Sequence, residues 1–397
     1  MRRIWIVTEL FYPDETSTAY ILTKIANALS CKFEVNVICG PESYSKRLNN
    51  KPGSDEEILK NIQIHRVSNC SLNKDKIFSR LLRFLVIGFK LTYSLFRKTK
   101  SSDRVFIVTN PAPLLLSVAL IKKIRKFPLY ILVHDVFPEN TIPAGLISSD
   151  KTLVYRLFKN CFNWAYKSAD YLIVLGRDMQ QVIKSKLGNN PNNTKIAIIE
   201  NWAEKDIVKM DNVYRSDKFV IQYAGNIGRV QGLYNFIKLY AKANNPILSF
   251  ELWGDGAMRE ELERYARENS AIDISFGGKY DRSQQNEIFA RCDLSLVTLA
   301  DGMFGLGVPS KSYNIMASST PILFIGDLKS EIAITVRENN IGFCFDPNDH
   351  NGIVSFLHGL GKKSKMELSE MGNRAKSVAN SKYSEYEILE KFKSVVD

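Results

Sequence analysis

Short apolar runs rich in Val, Ile and Leu alternate with longer amphipathic stretches along residues 1–200. Runs of this length, bounded by polar turns, are the pattern of strands buried on both faces. They predict strands at Ile4–Thr8, Glu34–Cys39, Ile62–Val67, Arg104–Val108, Leu129–Val133, Tyr171–Leu175 and Ile196–Ile199. Between them apolar positions recur every three or four residues, which predicts helices such as Tyr20–Leu29, Ala112–Ile124 and Leu153–Lys167. Strands and helices in alternation imply a parallel sheet covered by helices. Residues 40–60 are polar, carry Pro and Gly, and read as a loop.

After Glu200-Asn201-Trp202 the chain turns polar as far as Asp217, a shift that marks a hinge. A second alternating series follows, with strands expected at Phe219–Ala224, Ser249–Trp253, Ile272–Phe276, Leu294–Thr298, Pro321–Ile325 and Gly342–Phe345. Glu385–Val396 reads as a terminal helix. At 397 residues the chain is too long for one core. It divides into one domain over 1–202, a second over 217–384, and a helix in 385–397 expected to pack back on the first. The fold class is α/β, two Rossmann-like domains facing each other across a cleft. In open parallel sheets, ligands bind beyond the carboxyl ends of the strands. Candidate chemistry therefore belongs to the loops that follow them.

Charge separates the halves. Residues 1–200 hold 30 Lys and Arg against 16 Asp and Glu, a balance of +14, and residues 201–397 balance at −2. A basic first half suggests that this half meets a polyanion. The six cysteines (Cys31, Cys39, Cys70, Cys161, Cys292, Cys344) lack C-x-x-C spacing and suit a reduced cytosol, with neither zinc nor disulfides expected. Glu9 interrupts the first apolar run before a signal-peptide core could form, and no apolar stretch is long enough to span a membrane.

Five loops carry candidate chemistry. The first, Thr8 to Tyr20, lacks the G-x-G-x-x-G of dinucleotide enzymes, which disfavours an NAD- or FAD-dependent oxidoreductase. Its Glu15, Thr16 and Ser17 can bond a ligand, or the hydroxyls can cap the next helix. The fifth strand ends in His134-Asp135-Val136-Phe137-Pro138-Glu139, polar groups that are costly to bury unless they bond something. Asp135 could accept a proton and His134 could bond a ligand hydroxyl. Gly225-Asn226-Ile227-Gly228-Arg229-Val230-Gln231-Gly232 lets backbone approach an anion, and Arg229 could grip two phosphate oxygens. Gly254-Asp255-Gly256 and Gly277-Gly278-Lys279-Tyr280 are further turns, read either as nucleotide contacts or as tight turns that strand geometry demands. Finally, Gly305-Leu306-Gly307-Val308-Pro309-Ser310-Lys311 opens a short helix. Ser310 is a candidate cap and Lys311 a full charge for phosphate.

In this order the motifs resemble nucleotide-sugar glycosyltransferases of the GT-B fold, glycosyltransferase family 4. The Gly-Asn-Ile-Gly-x-x-Gln-Gly version resembles the branch for bacterial surface polysaccharides, of colanic-acid and O-antigen type, fucosamine transferases among them. The resemblance implies a retaining, metal-independent transfer of a sugar from a nucleoside diphosphate, UDP above all, to a lipid-linked saccharide on polyprenyl diphosphate. No cofactor is expected. Catalytic roles fall on Asp135, His134, Arg229 and Lys311. Donor contacts fall on Gly225, Asn226, Gly228, Gln231, Gly254, Asp255, Gly256, Lys279, Tyr280, Gly305, Leu306, Pro309, Ser310 and Asn314, and acceptor-side contacts on Glu15, Thr16, Ser17 and Glu139.

Two departures from the family pattern stand out. Members usually place Arg and Lys where Asn226 and Gln231 stand, and a Glu pair where Leu306 and Asn314 stand, the second Glu accepting both ribose hydroxyls. An amide at Asn314 can still bond a diol but lacks the charge that strengthens such bonds.

Between Lys74 and Arg104, nine basic residues interleave with Phe78, Leu85, Phe89, Tyr93, Phe96 and other apolar side chains. Such a helix can lie on an anionic membrane or form a core helix with a solvated basic face. Residues 74–104 are thus a candidate membrane contact, on the inner face of the cytoplasmic membrane; no nucleic-acid module is present. A nucleotide-sugar 2-epimerase and a catalytically silent sugar-nucleotide binder remain open alternatives.

Overall fold

The apolar runs form two wholly parallel sheets. The computed structural model describes residues 2–14, 16–41, 59, 61–68, 77–189, 193–207, 218–269, 273–361 and 364–397, with side chains at 77–84 and 364–365 excepted. Glu15, Cys70, Lys74, Asp75, Lys76 and most of the 40–60 loop lie outside these residues, as does the part of the expected hinge from 208 to 217.

The first sheet holds β1 (Arg2–Thr8), β2 (Phe33–Cys39), β3 (Ile62–Arg66), β4 (Arg104–Val108), β5 (Leu129–Val133), β6 (Tyr171–Val174) and β7 (Lys195–Ile198) in the order 3-2-1-4-5-6-7. The second holds β8 (Phe219–Ala224), β9 (Leu248–Trp253), β10 (Ile274–Gly278), β11 (Leu294–Thr298), β12 (Ile322–Ile325) and β13 (Gly342–Phe345) in the order 10-9-8-11-12-13. Four inner strands, β5, β8, β11 and β12, are buried along their whole length: every residue of β5, Leu-Tyr-Ile-Leu-Val, is in the core. Each such side chain contributes roughly 1.5–3 kcal/mol. Strand order reverses between β1 and β4 and again between β8 and β11, so each sheet opens a crevice at those carboxyl ends.

All thirteen expected strands are present, with ends moved by one or two residues. The largest shift is in β10, which runs on through Gly277 and Gly278. Gly277 lies against the Trp253 ring, where a Cβ would come within 2.3 Å, so only glycine lets the strand continue.

Among the described residues the domains meet at several places. The loop after β5 meets the loop after β11 in an isolated antiparallel bridge, Asp135 with Gly307, and Val136 N–H donates to the Leu306 carbonyl at 3.0 Å. Ala203 N–H donates to Tyr383 O at 2.8 Å. Helix Arg177–Leu187 points its start at the start of helix Glu331–Asn339. There Arg177 N–H donates to Glu331 Oε2 at 2.6 Å, and Glu331 N–H donates to Asp178 Oδ2 at 3.1 Å. Each helix start is thus satisfied by a carboxylate from the other domain.

Helix Glu385–Val396 packs against helix Ser17–Leu29 of the first domain. The Phe392 ring lies tilted 6.3 Å from that of Phe106, Lys24 pairs with Glu385 at 3.1 Å, and Tyr130 Oη donates to Val396 O at 3.3 Å. No helix among the described residues is long and apolar enough to cross a membrane.

Candidate active site

The crevices of the two sheets face each other and enclose a cavity of about 350 Å³. Its walls come from loops after β1 and β5 on one side and after β8, β10 and β11 on the other, with the interdomain segment at Asn201, Trp202 and Glu204. Of the residues singled out in the sequence, Ser17, His134, Asp135, Gly225, Asn226, Gln231, Tyr280, Pro309, Ser310, Lys311 and Asn314 line this cavity.

Lys311 begins helix Lys311–Ala317. Its stem is partly exposed, but its ammonium is shut off from solvent and has no acceptor among the described residues. It sits 3.2 Å from the Tyr223 ring centroid, above the turn at Gly225. Burial drives its pKa well below the ordinary lysine value. The ring face offers part of the missing negative charge, and a buried cation without a counter-ion is a place for an anion. Ser310 does not cap this helix. It already has helical dihedrals (φ −59°, ψ −27°), and its side chain makes no capping bond, unlike an N-cap in the extended region.

His134 and Asp135 are held from below by one residue. Thr109 Oγ1 accepts both their backbone N–H groups at 3.1 Å. His134 Nε2 is buried without a partner among the described residues, and burial lowers the ring's pKa to about 4. Burial raises the Asp135 carboxyl to about 6. The site therefore holds a neutral imidazole and a carboxylate poised near neutrality.

Other predicted residues lie elsewhere. Arg229 is exposed in the turn Arg229–Gln231 and faces Gly145 of the first domain, where a side chain would come within 3.5 Å of Nη1. Gly228 belongs to the same turn, packed on Gln231. Gly254 and Gly256 pack against the Gly225–Ile227 turn. A Cβ on Gly254, at φ +128°, would stand 1.9 Å from Gly225 O, so contact between the two turns accounts for that glycine. Asp255 and Lys279 pair with each other at 3.1 Å on the surface. Gly305 packs against Asp178 of the first domain, and Leu306 spends its carbonyl on Val136 and its N–H on Met303. Thr16 is the N-cap of helix Ser17–Leu29, accepting from Ala19 N at 3.3 Å. Glu139 pairs with Lys186 Nζ at 2.6 and 2.7 Å, a lysine only 3% exposed.

Several lining residues were missed. Tyr20 comes from the first helix, Glu204 from the interdomain segment, Arg282 and Gln285 from the loop after β10, and Tyr223 from the end of β8. Arg282 lies over the Tyr20 ring at 3.9 Å and pairs with Glu204 at 3.4 Å. Tyr20 closes the first marked loop and Tyr223 stands just before the Gly225 turn, whereas Glu204, Arg282 and Gln285 lie outside the marked motifs.

Comparison with known proteins now decides the family. Residues 204–377 match the family model for glycosyl transferases group 1. The whole chain is 34% identical to the probable glycosyltransferase WbjE of Pseudomonas aeruginosa over 409 aligned positions, covering 98% of that protein. The chain belongs to the group 1 glycosyl transferases. Solved structures agree on the fold. Sucrose-phosphate synthase from Thermosynechococcus elongatus superposes with a TM-score of 0.73 at 12% identity, covering 100% of this chain and 98% of that one. HepE of Anabaena, solved in complex with UDP, gives 0.69 at 14% identity, covering 100% and 99%. This glycosyl transferase therefore has the two-domain GT-B fold, and its family match lies on the domain that contributes Lys311, Gly225 and Asn314 to the cavity.

Proposed function

We propose that this glycosyl transferase moves a sugar from a UDP-linked donor to a lipid-linked saccharide on polyprenyl diphosphate, in building bacterial surface polysaccharide of O-antigen or capsule type. The observation that carries the donor half is the Lys311 ammonium, buried and without an acceptor inside the cleft. A diphosphate supplies what it lacks. Arg229 at the cleft rim adds a second cation once the donor is seated. HepE, solved with UDP, lends the nucleotide. The family resemblance lends the polysaccharide context, retention and independence of metal.

On this reading residues 217–384 hold the donor, residues 1–202 receive the acceptor, and 385–397 ties the two. Transfer breaks the bond from the anomeric carbon to the diphosphate and forms one to the acceptor oxygen. The acceptor proton passes to Asp135 or to a departing phosphate oxygen. With Asp135 near 6, turnover that uses it falls as pH drops below about 6. His134, neutral throughout that range, serves as a hydroxyl partner.

The acceptor half rests on the surface of the first domain. Among the described residues, every large apolar side chain that is strongly exposed falls within 85–164, apart from Met366 and Tyr386. Leu85, Phe89, Tyr93 and Phe96 stand on helix Ile77–Lys98, Leu120 and Ile124 on helix Ala112–Arg125, and Leu153, Leu157 and Phe158 on helix Leu153–Lys167. Lys123, Lys126, Arg156 and Lys159 are interspersed and exposed. Apolar side chains ringed by cations suit an anionic lipid surface. This extends the contact expected at 74–104 to three adjoining helices and supports a position on the inner face of the cytoplasmic membrane.

Isothermal titration with UDP, then turnover assays with UDP-sugars and a polyprenyl-diphosphate saccharide, test the proposal. Tight UDP binding with sugar transfer supports it. Binding with no transfer to any acceptor favours a silent binder, conversion of the free nucleotide sugar favours an epimerase, and no binding of UDP overturns the donor assignment.

A further inference from the structure

Glu204 sits where the two domains meet, and one side chain fixes it. Its N–H donates to Asn314 Oδ1 at 3.0 Å, and its Oε1 accepts from Asn314 Nδ2 at 2.8 Å. Asn314 thus grips backbone and side chain of the same residue, and its Nδ2 also reaches Gln285 Oε1 at 3.2 Å. The other carboxylate oxygen stands 3.4 Å from Arg282 Nη1, and Glu204 is only 14% exposed. All four residues line the cavity. A carboxylate at 314 could not make this arrangement, having no N–H to give and a charge that would repel Glu204. The amide at 314 and the acid at 204 are a matched pair.

We infer that Glu204 is the group that accepts the two ribose hydroxyls of the nucleoside diphosphate, with Asn314 as its positioning residue. This rests on the donor reading above and gives it a specificity. Each oxygen of an ionised carboxylate offers two acceptor sites; Arg282 Nη1 faces Glu204 as a charge without a hydrogen bond, so after the Asn314 bond Oε1 keeps one site and Oε2 keeps both. Two acceptors on one rigid carboxylate suit the two O–H donors of a vicinal diol, and the charge strengthens both bonds. A deoxynucleotide would leave one of these buried acceptors without its donor, which is where selectivity arises. The enzyme therefore selects ribonucleotide donors and rejects deoxyribonucleotide ones such as dTDP-sugars.

The test is isothermal titration of the full chain with UDP, 2′-deoxy-UDP and inorganic diphosphate, on wild type, Glu204→Gln and Asn314→Ala. Wild type should bind UDP roughly 10- to 100-fold tighter than 2′-deoxy-UDP, the range expected for a lost hydrogen bond to a charged group. In Glu204→Gln that gap should shrink to about threefold or less because the charge is gone. Diphosphate should bind both proteins alike. Asn314→Ala keeps the carboxylate but frees it, so it should give an intermediate gap, and it serves should Glu204→Gln fail to fold. A wild-type gap that persists in Glu204→Gln, or in Asn314→Ala where that is the variant that folds, overturns the assignment of Glu204 and leaves the donor reading standing. A wild type that discriminates less than threefold does the same. Absence of UDP binding to wild type overturns both.

Discussion

The Lys311 ammonium lies 3.2 Å from the centre of the Tyr223 ring, and Tyr223 Oη in turn donates to Asn226 O. A ring face and a turn therefore surround a charge that no carboxylate among the described residues neutralises. This arrangement stores a cost in the empty protein that a bound anion removes.

Replacement of that lysine by a residue of similar shape and no charge should separate stability from function. Lys311→Met is expected to raise the stability of the ligand-free protein by roughly 1–4 kcal/mol, the range for exchanging buried charge with apolar volume. The same variant should lower turnover by about a hundredfold or more. Urea unfolding without ligand and a donor-hydrolysis assay measure the two sides. Loss of stability in Lys311→Met would mean that the ammonium has a partner in solution.

The neighbouring pair His134 and Asp135 should leave opposite marks on the pH profile of stability. Asp135, raised to about 6, keeps a proton in the native state that the unfolded chain has released, so its contribution falls as pH rises from about 4 to 6. His134, lowered to about 4, refuses a proton that the unfolded chain takes up below its ordinary 6.5. Its contribution is complete above 6.5 and is lost as pH falls toward 4. In wild type the slopes largely cancel. Asp135→Asn should uncover the His134 slope, seen as a steeper fall in urea midpoint from pH 7 to pH 4.5. A profile parallel to wild type would count against a His134 held neutral by burial.

Across the domain junction, Arg177 Nη2 meets Glu331 Oε1 at 2.9 Å while Nη1 meets Glu338 Oε1 at 2.8 Å. Glu331 is 4% exposed and Glu338 is 53% exposed, and that difference decides their worth. Arg177→Ala removes the counter-ion of a buried carboxylate that keeps its bonds from the residue 177 N–H and Thr335 Oγ1, and should cost roughly 1–3 kcal/mol. Glu338→Gln removes a solvated partner and should cost less than about 1 kcal/mol. Because Arg177 and Glu331 act as one unit, Arg177→Ala combined with Glu331→Gln should cost less than the two singles added. Chemical denaturation of the four variants gives the coupling, and additive losses would show that the junction is not a unit.

The sequence made the strands legible because parallel strands buried on both faces cannot alternate; Leu129–Val133 reads as a strand with no other information. It made legible those site residues that directly follow such strands, His134, Asp135 and Gly225, and the lysine that opens the helix after β11. It could not show Tyr20, Glu204 and Arg282 as neighbours, because three distant segments meet only when the domains close on each other. Nor could it divide the glycines. Gly254 answers to the carbonyl of Gly225 and Gly305 to the backbone of Asp178, and a turn required by packing looks the same in sequence as one required by phosphate. Glu139 beside a strand end gave no sign that Lys186, from another helix, would take its charge.

The exposed apolar face gives the last prediction. Phe89 is 71% exposed and stacks on Tyr93, and Leu157 on the third helix is 62% exposed, so neither supports the core. Phe89→Asp with Leu157→Asp should therefore leave folding and UDP binding unchanged. Vesicles of phosphatidylcholine with phosphatidylglycerol should sediment the wild type, and vesicles of phosphatidylcholine alone should do so weakly, because each basic residue near an anionic surface contributes about 1 kcal/mol. The double variant, which removes apolar area and adds repulsion, should bind the anionic vesicles at least about tenfold more weakly. Transfer to a soluble acceptor analogue should be unaffected while transfer to the lipid-linked one falls, since the face acts by bringing enzyme and acceptor to one surface. Wild type that stays in the supernatant with anionic vesicles would remove the membrane from the proposal.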